Sequence, residues 1–274
     1  MKAGLSPSKK VYSNQFVMAR VDKTVDDLFA ETPSSRWDPG YWEPKWDSLN
    51  KEISFPLVDF SQLIEEKGIT YGQVGQRIFS KTGGVRYLQV INLRPTGIDF
   101  YVKDDKVEDD THSDPKRSRL KPGQVLLSRT SFPGMDTLIG RCIVVPKAVG
   151  KANVSEDIDV ITLKKGVSPE VVCVFLKTKY GQDQIHRKKK GVKSIKINFN
   201  DIYTFKIPTF PKPVQSQIEA EYKKMAAFHD KAMEAKAKGD EAGGKKNRET
   251  AEAMLKDLIA RTEAVIRGER EDVG

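Results

Sequence analysis

Apolar and polar positions alternate in short runs through the middle of the chain and change to a helical period near its end. Residues 85–93 (VRYLQVINL), 124–129 (QVLLSR), 138–146 (LIGRCIVVP) and 158–164 (IDVITLK) are rich in β-branched and aliphatic side chains. Gly, Pro or charged loops bound each run, which predicts four short strands. Residues 11–20 (VYSNQFVMAR) read as a strand or extended segment, and Asp22 to Phe29 as a short amphipathic helix. Residues 168–185 predict a helix with Ser168 as N-cap, Pro169 at the first helical position and Glu170 complementing the dipole. Next, VKSIKINF (192–199) alternates so that Ile195, Ile197 and Phe199 share one face, the pattern of a half-buried strand.

Pro208, Pro211 and Pro213 then stiffen the chain, because proline fixes φ and pushes the preceding residue toward extended geometry. Beyond them, Ile218, Tyr222, Met225, Phe228, Ala232 and Ala235 recur at steps of three and four. So do Ala251, Leu255, Leu258, Thr262 and Val265. These are narrow apolar seams on charged helices, suited to packing on another helix. The glycines of KGDEAGGKK between them allow either a hairpin or one long broken helix. No regular βαβ repeat is present, so the expected fold class is α+β: a mixed domain over residues 1–211, with a small twisted β-sheet and flanking helices, followed by long, coiled-coil-like C-terminal helices over 212–274.

The chain has 274 residues, 38% of them hydrophobic and 31% charged, with a mean hydropathy of −0.52. That composition suits a folded domain with a polar surface and argues against disorder. MKAGLSPSKKVY, at the start, has no apolar stretch for a signal peptide. The longest apolar run, Val171 to Leu176, is too short to span a bilayer, so no membrane partner is expected. Cys142 and Cys173 sit in apolar contexts and read as buried thiols of a reducing, cytoplasmic protein.

Charge changes the picture more. From Lys212 onward there are 13 basic and 13 acidic residues, so the whole excess of +9 lies in the first 211. Within them KDDKVEDD (103–110) is locally acidic, whereas IHRKKKGVKSIKINFN (185–200) has six cations and no acid. A basic body on a neutral, mixed-charge tail suggests a polyanion for the body and a protein partner for the tail. A basic run also serves simply as a solvated face. Trp37, Tyr41, Trp42 and Trp46, within SRWDPGYWEPKWDSLN (35–50), could stack bases, but such clusters more often pin an irregular segment as a satellite core.

Signatures of independent catalysis are missing or broken. GDEAGGK (239–245) has P-loop spacing, but Lys246 stands where magnesium binding needs Ser or Thr, and the segment lies between two helices. There is no G-x-G-x-x-G, and no polar–proline–aromatic loop of the kind used by amino-methylating enzymes. His112, His186 and His229 are far apart and near no cysteine pair, so no metal is expected. Asp157 and Asp159 are followed by no Glu-x-Lys of a nuclease metal site, and Ser128 lacks the glycines of a nucleophile elbow.

Taken in order, GGVRYLQVINLRPTGIDF (83–100), LKPGQVLLSRTSFPGMDTLIGRCIVVP (120–146) and the run from Asp157 to Ile218 resemble the specificity subunit of type I restriction–modification systems. SRWDPGYWEPKWDSLNKEI resembles the Arg-x-Asp-Pro-x-Tyr-x-x-Pro-x-Tyr opening of many members, with Trp46 in place of Tyr. Each motif is weak alone; their collinear order over about residues 11–235 carries the resemblance. It implies a target-recognition domain for 1–211, launching a conserved helix through a proline-flanked joint and a Gln, here Gln215 or Gln217. Family members usually carry two recognition domains, so the chain resembles a half-subunit, for which the resemblance implies a homodimer reading an inverted-repeat site.

On that resemblance the protein is expected to be a non-catalytic DNA-recognition subunit with no cofactor of its own. S-adenosylmethionine would sit on a partner DNA adenine methyltransferase subunit, with a restriction/translocase subunit as a further partner. Candidates for phosphate contacts are Arg187, Lys188, Lys189, Lys190, Lys193 and Lys196. Base readout needs bidentate donors and acceptors, which selects Arg86, Gln89, Asn92, Arg94 and Arg129, with Tyr87 either touching a base or packed in the core. Ile218, Tyr222, Met225, Phe228, Leu255, Leu258 and Val265 are the expected dimer and methyltransferase-docking residues. The competing expectation is a stand-alone nucleic-acid-binding protein, a regulator or RNA-binding module without a methyltransferase partner. An enzyme with an unrecognised site is a third possibility, and a pure coiled-coil scaffold leaves the charge asymmetry unexplained.

Overall fold

The structure is a computed structural model, and it describes residue 41 and residues 51–131, 138–191 and 194–274. The expected elements at 11–20 and 22–29, together with Trp37, Trp42, Trp46 and Lys193, lie outside the described residues. Along the chain the strands are β1 (Leu57–Asp59), β2 (Ile64–Tyr71), β3 (Val85–Leu88), β4 (Leu93–Arg94), β5 (Gly97–Ile98), β6 (Lys106–Val107) and β7 (Val125–Ser128). Then come β8 (Thr130–Ser131), β9 (Cys142–Val144), β10 (Ala152–Val154), β11 (Ile158–Leu163), β12 (Ile195–Lys196) and β13 (Lys206–Pro208). The helices are α1 (Pro169–Lys177), α2 (Lys179–Lys188), α3 (Phe199–Tyr203), α4 (Lys212–Ala237) and α5 (Glu241–Ile266). The fold is α+β, as expected.

A four-stranded antiparallel sheet, in the order β2-β11-β7-β9, forms the centre. Side chains alternate across a strand, so β11 and β7 serve two cores at once. Ile161, Val125 and Leu127 face the helices with Phe175, Ile218 and Leu258. Ile158, Val160 and Leu126 face away, meeting Leu88, Ala152 and Val154 of the small sheet β10-β3-β6. Burial on both faces is why these strands read as near-continuous apolar runs. The predicted 85–93 strand is shorter than expected: β3 ends at Leu88 and a tight 3-10 turn, Val90–Asn92, re-aims the chain into β4.

The helix expected over 168–185 is broken in two. Ser168 caps α1 as predicted, accepting from the Val171 N–H at 3.3 Å. At Thr178 the backbone turns extended, and the Thr178 side chain caps α2 by accepting from the Gly181 N–H at 3.4 Å. Gly181 is obligatory at this corner, since a Cβ there would lie 2.4 Å from the Phe175 carbonyl oxygen. The run 185–190, expected as a loop, is instead largely the last turn of α2, where cations complement the carbonyl end of the helix. The alternation at 192–199 yields only the two residues of β12. Ile197 is buried, but Ile195 is half-buried and Phe199 opens α3.

The C-terminal seams meet each other. Gly239, with φ of +74°, turns the chain, Asp240 caps α5 through the Gly243 N–H at 2.9 Å, and α4 and α5 close as a hairpin. Residues 239–245 are thus a helix start, with no phosphate-binding loop. The hairpin packs on α1 and the central sheet in one continuous core: Ile207 and Phe210 lie before residue 212, Val214 and Ile218 after it, and all belong to it. Tyr222 accepts a hydrogen bond from the Val144 N–H at 3.3 Å and lies 3.9 Å from the Cys173 sulfur. Ile218, Tyr222, Met225, Leu255, Leu258 and Val265 are therefore core residues, and the expectation that they form a surface for a second copy or a docked subunit is corrected. A hairpin joined by a few residues satisfies its seams within one chain before any partner can reach them. Phe228 is half-buried at the margin of this core, with the Lys231 ammonium 5.0 Å from its ring.

Two anchors fix the hairpin to the body. At the joint, Gln215 donates to the Phe210 carbonyl at 2.7 Å, while the Gln217 side-chain oxygen accepts from the Val273 N–H at 3.1 Å and ties α4 to the segment after α5. Farther along α4, His229 Nε2 meets the Ile98 carbonyl at 3.1 Å and Nδ1 meets Thr96 Oγ1 at 2.9 Å. Gly97 lets the ring in, since a Cβ there would stand 2.3 Å from it. Beside this contact Lys236 pairs with Asp99 at 3.0 Å.

Candidate nucleic-acid interface

The sequence-derived base readers fall into two groups, and their surroundings differ sharply. Around β3, the acidic segment folds back on them. Arg86 lies with its guanidinium 4.4 Å over the Phe100 ring and its Nε 3.4 Å from Asp104. Gln89 donates to Asp105 at 2.7 Å and accepts from Lys103 Nζ at 3.2 Å. Arg94 faces Asp99 at 3.9 Å, and that carboxyl is also held by Lys236. Burial raises the Asp99 pKa, but the hydrogen bonds from Lys236 and the Tyr101 N–H, together with the charges of Lys236 and Arg94, outweigh it, and the net displacement is downward.

One candidate in this group, Asn92, is corrected outright, and the alternative left open at Tyr87 is decided for the core. Asn92 is fully buried: its side-chain oxygen accepts from the Gln89 N–H at 2.9 Å, and its amide donates to the Asp99 and Lys103 carbonyls, both at 2.9 Å. It locks the 3-10 turn, because a buried amide must find internal partners. Tyr87 is 2% exposed, edge-on to Phe79, with Arg77 5.3 Å from its ring. Burial pushes its phenol up to about 12.

Arg129 stands in a different setting. Its backbone N–H donates to the Asp157 carbonyl at 2.9 Å and its carbonyl accepts from the Ile197 N–H at 3.0 Å, so the main chain is held from both sides. Its guanidinium lies 5.2 Å from the Tyr71 ring and 5.0 Å from the Phe199 ring, and those rings are 5.4 Å apart. Behind it Asp159, which pairs across the sheet with Tyr71, lies 3.6 Å from Nη1. Asp159 is fully buried, and neither carboxylate oxygen has a hydrogen-bond donor. Burial pushes its carboxyl well up, against the opposing pull of Arg129. Arg117 also approaches Tyr71, 5.8 Å from the ring, on a turn tied down by the Thr70 hydroxyl donating to its carbonyl.

The basic run adjoins this cluster. Lys196 is exposed, and its backbone exchanges two hydrogen bonds with Lys190, at 2.7 and 2.8 Å. Lys190 is half-buried and pairs with Asp201 at 3.1 Å. Arg187 packs on Tyr41, donating to its carbonyl at 2.9 Å with the guanidinium 4.6 Å from its ring. Lys188 is 8% exposed and donates to Thr204 at 2.6 Å, which corrects its assignment to the phosphates. Lys189 caps the end of α2 and is half-buried. The tertiary structure thus brings Arg129 together with Tyr71, Arg117 and Phe199, none of the last three a site residue expected from the sequence, and pairs the backbone of Lys196 with Thr130, next to Arg129, and with Lys190. Nothing in the order of residues signals that Tyr71, Asp159 and Arg129 meet; the register of β2, β11 and β7 does it.

Among the described residues, Asp109, Asp110 and Asp114 lie close enough to share a cation. Lys151, Lys116 and Arg119 already pair with them, and Asn153 donates to Asp114 at 2.9 Å. Among the same residues no helix is long and apolar enough to cross a membrane.

No family model matches the chain, and no curated protein does. Solved structures similar to it include the type I restriction–modification S subunit from M. genitalium, with 11% identity, a TM-score of 0.45, and coverage of 68% of this chain and 41% of that one. The HsdS subunit from Thermoanaerobacter tengcongensis has 14% identity and a TM-score of 0.45, covering 78% of this chain and 49% of that one. The type IIG restriction endonuclease BpuSI has 12% identity and a TM-score of 0.47, covering 83% and 34%. The chain spans less than half the length of each of these three.

Proposed function

We propose that the protein binds double-stranded DNA sequence-specifically, as the recognition subunit of a type I-like methyltransferase complex. The observation that carries this reading is an arginine packed against a pair of touching aromatic rings, with exposed Arg117 and Lys196 beside it. Lysine and arginine on an open face supply salt-dependent attraction to phosphates, while a fixed guanidinium supplies directional donors for a base edge. The collinear motifs described above support the more specific assignment, in which the chain reads a half-site and an adenine-methylating subunit docks on it. The recognition role needs no cofactor on this chain, and S-adenosylmethionine belongs to that partner.

One observation favours a second reading, a free-standing DNA binder. The helical seams are satisfied within the chain, so the hairpin does not need a partner to cover them. Truncating the hairpin would not separate the two readings, because it removes part of the core. A pull-down of the tagged full chain from its host, after nuclease treatment, does separate them. Stoichiometric recovery of an adenine-methylating subunit is expected; recovery of the chain alone would overturn the subunit assignment and leave the DNA binder.

A further inference from the structure

The Arg129 site is built unlike a phosphate contact. Side chains that follow a phosphate backbone are exposed and adaptable, since a phosphate accepts from many directions. Arg129 is 16% exposed, has its main chain fixed on both sides and packs against the paired Tyr71 and Phe199 rings. Its Nε is buried without an acceptor, and the carboxylate behind it is itself without a hydrogen-bond donor. Such buried, unpartnered polar atoms are costly. They are understandable where a guanidinium must be held in one orientation for something outside the protein.

The chemistry of the head group narrows what that is. A guanidinium is donor-only and planar, with two parallel N–H groups. In the major groove only guanine offers two adjacent acceptors, O6 and N7. Adenine sets a donor beside its N7, cytosine presents a donor, and thymine presents one acceptor beside a methyl group. We infer that Arg129 reads a guanine by a bidentate contact, with Tyr71, Phe199 and Asp159 as positioning residues. This rests on the DNA reading proposed above and assigns one base of its target. Tyr71 and Phe199 pack against one side of the guanidinium, and Asp159 attracts its Nη1 from behind at 3.6 Å. Lys196 and Arg117, on the rim, contact phosphates and are indifferent to the base.

The test is selection of a randomised double-stranded DNA pool by the full-length chain, followed by affinity measurements on the enriched site and its single-base variants. The wild-type chain is expected to require guanine at one position. Arg129→Gln and Arg129→Lys should each lower the preference for that guanine over adenine by about 10- to 100-fold, because neither retains the fork. Asp159→Asn should lower it by a smaller factor, with Arg129 still present. Lys196→Gln should leave every base preference intact, weaken binding uniformly and reduce the salt slope by about 0.9. Replacing the guanine by 7-deazaguanine removes the N7 acceptor and should weaken the wild-type chain without any mutation of the protein.

A wild-type chain that enriches no sequence overturns the DNA reading, and the guanine assignment with it. A clear target whose guanine preference survives Arg129→Lys, or that is indifferent to 7-deazaguanine, overturns only the guanine assignment.

Discussion

Replacing Leu258 by Ala separates a seam buried within one chain from a seam waiting for another. Leu258 is 1% exposed in α5 and belongs to the core that also contains Ile218 and Met225 of α4 and Phe175 of α1. Leu-to-Ala changes at such sites cost about 2–5 kcal/mol, the lost transfer energy plus the cavity left behind. With a urea dependence of about 1–3 kcal/mol per molar, a loss near 3 kcal/mol moves the unfolding midpoint down by about 1–3 M. Because the seam is intrachain, the midpoint of the wild type, and its drop in Leu258→Ala, should not depend on protein concentration. If the helices were instead completed by a second copy, each tenfold dilution would weaken the wild type by about 1.4 kcal/mol. Urea unfolding followed by circular dichroism over a hundredfold range of concentration measures both quantities. A concentration-dependent wild-type midpoint, or a Leu258→Ala loss below about 1 kcal/mol, would refute the packing described above.

Asp159→Asn should match the wild type at acid pH, where Asp159 is protonated, and be the more stable at neutral pH, since a buried carboxylate near one guanidinium and without a hydrogen-bond donor recovers little of its desolvation. The sign follows from the upward displacement of its pKa in the fold: its contribution is fully favourable below the ordinary carboxylate range and is lost as pH rises through the raised value. The gap between variant and wild type should therefore widen from acid to neutral pH in urea titrations, and a gap that is constant or reversed would sink the assignment. Arg86→Ala and Gln89→Ala should change DNA affinity by less than about twofold, since Asp104 and Asp105 engage both side chains. Electrophoretic or anisotropy titrations that find a loss of base discrimination would place the β3 face in the groove.

Local signals were legible where a residue acts on its immediate neighbours. Ser168 starts α1 and the apolar runs at 125–128 and 158–163 are strands, whereas the glycines between the C-terminal helices left a hairpin and one long broken helix both open. Thr178 was harder, since its capping hydroxyl matters only because Gly181 admits a close corner. The charge count separated a basic body from a neutral tail, yet it could not tell which cations are open to a ligand. Lys188 is inside, Arg187 lies on Tyr41, and Lys196 is outside, although all three lie in one basic run.

The sequence by itself therefore determined the α+β class, the helical end and the location of positive charge, because periodicity, caps and net charge are sums over neighbours. Only the tertiary structure decided that the seams face inward and that the acidic segment 99–105 engages Arg86, Gln89 and Arg94. It also decided that Tyr71, Arg129, Asp159 and Phe199 meet. These contacts join residues far apart in the chain, and strand register and burial set them; no local pattern carries that information.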